Sequence, residues 1–291
     1  MSGFMSSTTA MKVFEVQAKE PDSDKLRKYA FTPTPGPDGK RVGWVGLGDP
    51  LDLDFSFGID FGRFLAFSLR IDERKPSSAA IKIRLAEAIK EEAAGDGNIS
   101  GKRKKELKEA ITATVTSKAD FIPSLTDCIW DLGAQRLYVS TASEGALAIL
   151  LELFNKTFGV TPAPVSPKAD MAALFARAFR ENIPVDGADV SANGYSVTLA
   201  TPEQQEDKAH VVVVNNQGAV ATALEEGLRI TKMALLAVDG EQELAFALAD
   251  DLTISGLKLP KGEKGDDADA TFLLKAEACA HAAHVVEAMS K

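Results

Sequence analysis

The side chains best equipped for chemistry are five cations, Lys102, Arg103, Lys104, Lys105 and Lys108, packed into one short stretch. Ammonium and guanidinium groups at that density bind phosphates, and spacings of three and four residues bring them along one flank of a helix. Residues 63–118 hold 13 Lys/Arg against 8 Asp/Glu, whereas the rest of the chain holds 20 against 34. On a chain of net charge −9 these cations are not needed for solubility. The plainer alternative is a solvated helix face, diluted by Glu106 and Glu109.

Other reactive groupings are weaker. Cys279, His281 and His284 resemble a metal triad, but positions two apart on a helix diverge by about 200°, so no metal site is expected. The pairs Asp250-Asp251 and Asp266-Asp267 would suit Mg²⁺ in a nuclease, without a third ligand at a fitting spacing. There is no Walker phosphate loop, no G-x-S-x-G elbow and no dinucleotide fingerprint after a strand. Neither catalytic residue nor cofactor is expected; a Mg-dependent nuclease, or a nuclease-associated subunit, is the rival reading.

The basic cluster needs elements to present it. Pro76 and Ser77 open a first helix with Ile81, Leu85, Ala88 and Ile89 on one face and Lys82 and Arg84 off it. Gly95 and Gly97 stop it, and Asn98 or Ser100 caps a second helix whose Leu107, Ile111 and Val115 recur every four residues. That helix ends before Pro123. Around this helical hairpin the sequence predicts strands at 12–19, 42–45 and 61–71, a hairpin of 128–131 with 136–140, and a helix over 143–158. TPAPVSP, residues 161–167, reads as a domain boundary. Beyond it come a helix at 168–180, an Asn193-Gly194 turn, a strand at 211–214 and a helix at 219–226. An Asp239-Gly240 hairpin between Leu228 and Leu248 and a last helix over 269–290 close the chain.

Composition sets the class: 45% hydrophobic residues support a large core, no apolar run reaches membrane-spanning length, and two distant cysteines fit a reducing cytoplasm. The expected organisation is a disordered leader over residues 1–10, with Met11 a candidate start. An N-terminal α+β region over 11–160 then contains the finger at 76–117, and a C-terminal α+β region covers 168–291.

Phe31-Thr32-Pro33, Gly43-Trp44-Val45, Ile81-Lys82 ahead of the Lys-rich helix, Phe121, Ile129-Trp130-Asp131, Thr231-Lys232-Met233-Ala234-Leu235 and Asp267-Ala268-Asp269 occur in this order. Together they resemble the RdgC family, bacterial recombination-associated proteins, over nearly the whole chain from Met11. The resemblance implies an α+β fold of curved antiparallel sheets with a projecting helical finger. It implies a homodimeric ring around double-stranded DNA, without sequence preference, that restrains RecA in the cytoplasm at the nucleoid. The DNA contacts it implies are Lys82, Arg84, Lys102, Arg103, Lys104, Lys105, Lys108, Lys118 and Lys232. Phe121 would close the ring, unless it is an ordinary core residue. The sequence departs from the family pattern at Asp120, in the loop 46–57 and over 184–207.

Overall fold

Alternating apolar residues in long strands and four-residue apolar spacing in helices produce an α+β chain, seen in a computed structural model that describes residues 3–17, 21–36, 39–96, 99–140, 143–201, 211–240, 242–262 and 267–291. Its first half holds β1 (Thr8–Glu15), α1 (Asp24–Lys28), β2 (Arg41–Val45), β3 (Asp60–Phe61), β4 (Phe64–Arg74), α2 (Ser78–Asp96), α3 (Gly101–Lys118), β5 (Phe121–Asp131), β6 (Arg136–Val139) and α4 (Glu144–Phe158). The second half holds β7 (Ala163–Pro164), α5 (Met171–Ala178), β8 (Ile183–Val185), β9 (Ala188–Ala200), β10 (Val211–Val213), α6 (Gln217–Glu225), β11 (Arg229–Asp239), β12 (Gln242–Ala249), β13 (Ile254–Lys258) and α7 (Ala268–Met289). The strands follow the order β10-β9-β11-β12-β13-β1-β6-β5-β4-β2, and pairs such as β11–β12, β1–β13 and β5–β6 are antiparallel.

Two compact units divide the chain: the first is Met1–Ala30, Trp44–Leu69 and Thr126–Lys291, the second Phe31–Gly43 and Arg70–Leu125. In the first, β11 shows how the pattern makes a core. Met233, Leu235 and Ala237 are buried, while Lys232, Ala234 and Leu236 between them lie half-buried on the other face. Phe246 and Leu248 of β12 and Phe272, Ala276, Cys279 and Val286 of α7 join the same cluster. Trp44 and Trp130 are wholly structural: Trp44 stacks edge-on against Phe67 at 5.0 Å and donates from Nε1 to Thr157 Oγ1 at 2.8 Å, and Trp130 packs 5.0 Å from Phe154. Both cysteines are buried, and burial raises their thiol pKa values.

Several expectations need correction. Residues 3–10 are not a disordered leader, because Phe4 is fully buried and β1 begins at Thr8. The proline-rich stretch 161–167 is not a boundary between compact units. β7 pairs with β1 and Val165 N–H donates to Val13 O, which keeps both flanks in one unit. Asn193-Gly194 lies inside β9, where Gly194 at φ +77 belongs to a bulge between the Met233–Val197 and Leu235–Ala192 pairs. The tight turn is Asp186-Gly187, with φ of 45 and 94, joining β8 to β9. Among the expected features, Gly97, Asn98, Glu241 and Asp266 lie outside the described residues.

One buried acid carries a pH signature. Asp127 accepts from the backbone N–H of Phe4 at 2.9 Å and from Ser68 Oγ at 2.6 Å, yet burial outweighs these bonds and raises its pKa. The folded state therefore favours the protonated acid. This contribution is complete below the unfolded value, about 3.9, and is lost as pH rises through the raised folded value. In urea titrations between pH 4 and 7, the stability advantage of the wild type over Asp127→Asn is expected to shrink steadily; a constant difference would contradict the assignment.

Candidate nucleic-acid interface

The second unit is built around the hairpin of α2 and α3. The half-buried residues of α2 include Ile81, Leu85, Ala88 and Ile89, and those of α3 include Leu107, Ile111 and Val115. This single seam holds the helices together, and none of the described side chains in either helix is fully buried. Ser100 caps α3 by accepting from Arg103 N–H at 3.2 Å, and Ser77 Oγ accepts from Ala80 N–H at 3.3 Å at the start of α2.

The seam leaves the cations outside. Lys82 and Arg84 on α2 and Lys102, Lys104, Lys105, Lys108 and Lys118 on α3 are all exposed, and among the described residues none has an acidic partner within salt-bridge distance. Arg103 is different. Its guanidinium takes both Glu92 oxygens, at 2.6 Å from Nη2 to Oε1 and 3.1 Å from Nε to Oε2, with Glu106 at 3.4 Å. The hydrogen bonds that Arg103 donates to the Glu92 carboxylate raise the Arg103 pKa and lower that of Glu92. Arg103 thus fastens α3 to α2 and leaves the lysines free.

At the foot of the hairpin, three strand ends meet: Arg41 opens β2, Arg74 closes β4 and Phe121 opens β5. The guanidinium carbons of Arg41 and Arg74 lie 3.6 and 4.6 Å from the centroid of the Phe121 ring. Phe121 is half-buried in this chain, so it is neither an ordinary core residue nor a bare apolar knob. Its neighbours Asp120 and Ile122 are exposed, Ile122 at 48%. Arg41 and Arg74 were not singled out from the sequence, because only the strand ends bring positions 41, 74 and 121 together.

Lys232 belongs to the first unit. It is half-buried on β11, opposite Ala249 on one side and Thr198 on the other. Of the metal-like and acidic groupings, Cys279, His281, His284 and Asp251 are otherwise engaged. Cys279 points into the core, whereas His281 Nε2 sits 3.4 Å from Asp239 and His284 Nε2 3.7 Å from Asp186. Asp251 accepts from Thr253 N–H at 2.9 Å and from Lys12 Nζ at 3.3 Å, as a turn carboxylate does. Among the described residues no group of three or more His, Cys, Asp or Glu could hold a metal ion, and no helix is long and apolar enough to cross a membrane.

Comparison with known proteins adds a family. The model of the family described as "Putative exonuclease, RdgC" matches residues 10–285. The recombination-associated protein RdgC of Actinobacillus pleuropneumoniae serotype 7 (strain AP76) is 28% identical over 278 residues, covering 87% of this chain and 85% of that protein. Its counterpart in serotype 3 (strain JL03) is 27% identical over 280 residues, with the same coverage.

Proposed function

This chain belongs to the RdgC family, and from that premise we propose that it binds double-stranded DNA without sequence preference, as a homodimeric ring, and restrains RecA-mediated recombination. The observation that supports this reading is charge segregation. The second unit carries 14 Lys/Arg against 10 Asp/Glu, and the first carries 19 against 32. An acidic body disfavours phosphates everywhere except at the lysine flank, which favours threading of a duplex over coating it. Lys82, Arg84, Lys102, Lys104, Lys105, Lys108 and Lys118 are the contacts in this reading, and Lys232 is the one from the first unit. Arg103 positions its neighbours. The relation to RecA in this reading is functional antagonism, by direct contact or by occupation of the DNA, and the protein works in the cytoplasm at the nucleoid.

Anisotropy of labelled duplexes across a salt series tests the reading. With about 6 to 8 phosphates neutralised, log K falls against log salt with a slope of about −5 to −7, equally for unrelated sequences; a flat salt response overturns it. A ring also slides off linear duplexes and stays on closed circles, so circular DNA is expected to retain the protein longer. Phe121 would close the ring together with Ile122, and Phe121→Ala is expected to weaken self-association about tenfold in analytical ultracentrifugation, ~1.4 kcal/mol. An unchanged dimer removes Phe121 from the contact.

The family description favours a second reading, a Mg²⁺-dependent nuclease or a nuclease-associated subunit. Asp250 and Asp251 would have to serve it, and Asp251 already accepts two hydrogen bonds. Incubating end-labelled DNA with the protein and Mg²⁺ separates the readings: a binder leaves the label in full-length strands.

A further inference from the structure

The foot of the hairpin contains two arginines stacked on one ring, and the chain offers an internal comparison for what such a stack means. Arg70, in the same unit, also lies over an aromatic ring, 4.0 Å from the centroid of Phe31. There the guanidinium is neutralised: Nε and Nη2 donate to the two oxygens of buried Asp72 at 2.7 and 2.8 Å. That stack is complete as it stands.

Arg41 and Arg74 share Phe121 without such a partner. Among the described residues neither forms a salt bridge; Glu73 is paired with Lys40 at 3.1 Å, and Asp72 is taken by Arg70. Arg74 Nη1 donates to the Ser117 carbonyl, which fixes the side chain against the end of α3. Arg41 Nε is buried with no acceptor. The two centroid distances keep the guanidinium carbons within about 8 Å of each other, about one Debye length at physiological salt, so their repulsion is not screened away. Two rigid donor forks, held by one ring and lacking an anion, match the geometry of a phosphate.

We propose that Arg41 and Arg74, presented by Phe121, form a phosphate clamp that takes one phosphodiester of the DNA backbone at the foot of the hairpin. The proposal rests on the DNA-binding reading above and adds two residues to it. The clamp fixes where the duplex backbone meets the base of the helices, while the lysines farther along α3 supply a diffuse field. Phe121 then serves as a platform for the arginines as well as a neighbour of Ile122.

The test uses the full chain with a duplex oligonucleotide, after circular dichroism and thermal melting show each variant folded. Arg41→Gln with Arg74→Gln is expected to flatten the salt slope by about 1, as for one phosphate, and to weaken binding about tenfold at 0.1 M salt. Arg41→Lys with Arg74→Lys keeps the charge but loses the stacked forks, and is expected to bind at least threefold more weakly than wild type. The Nε–H resonances of both arginines in ¹⁵N spectra are expected to shift on adding duplex. If wild type binds DNA with the steep slope while the Gln variant keeps that slope and the resonances stay put, the clamp is wrong and the DNA reading stands. If wild type binds no duplex even at low salt, both are wrong.

Discussion

Replacing Lys102, Lys104 and Lys105 together by glutamate is expected to weaken duplex binding about 10²- to 10³-fold at 0.1 M salt, equally for all sequences. Each phosphate contact contributes about 0.9 to the slope of log K against log salt, so losing three removes close to three decades at that concentration. Reversal of sign adds repulsion to the loss. All three side chains are exposed and without acidic partners among the described residues, so the thermal midpoint should hardly move. Arg103→Ala provides the contrast. It breaks the grip on Glu92 and is expected to loosen the pairing of α2 with α3 while costing less affinity than the triple variant. If the triple variant binds as tightly as wild type, the flank of α3 is a solvated face and the DNA contact lies elsewhere.

The helical hairpin was legible because its signals are local. Four-residue apolar spacing and a serine cap act within a few turns, and the seam residues expected from the pattern are half-buried in the structure, although α2 runs through Gly95 to Asp96. The same holds for β11 and β12, where Asp239-Gly240 between alternating runs gives a register that starts at Asp239 opposite Gln242. What the sequence hid depends on distant pairing. Arg103 looks like any other cation of its cluster, and only the packing of α3 against α2 brings it onto Glu92, eleven positions earlier. Asn193-Gly194 has the composition of a turn, but β9 runs through it as a bulge because β11 pairs on both sides. Arg41 and Arg74 acquire meaning only through the strand ends that place them on Phe121.

The N-terminal segment shows the same limit with larger energetic consequences. MSGFMSSTTA reads as a leader because small polar residues dominate it, yet one aromatic and a few backbone groups tie it to the first unit. Phe4 is fully buried, and its N–H bonds Asp127. Lys275, only 7% exposed, donates from Nζ to the carbonyls of Met5 at 2.5 Å and Ser6 at 3.2 Å, and burial lowers its pKa. Ser7 O accepts from Leu259 N–H, and Thr8 and Thr9 pair with Lys258 and Leu257. A chain starting at Met11 loses all of these together. Emptying the Phe4 site costs about 3–5 kcal/mol by analogy with Phe→Ala in cores, and leaving a buried ammonium without acceptors adds about 1–3 kcal/mol or more. The sum approaches the whole stability of an ordinary domain, about 5–15 kcal/mol. The truncated chain is therefore expected to be largely unfolded or aggregated at 25 °C, and Phe4→Ala in the full chain to lower the urea midpoint while remaining folded. Equal urea midpoints for the Met11 start and the full chain would show that the segment adds nothing to stability.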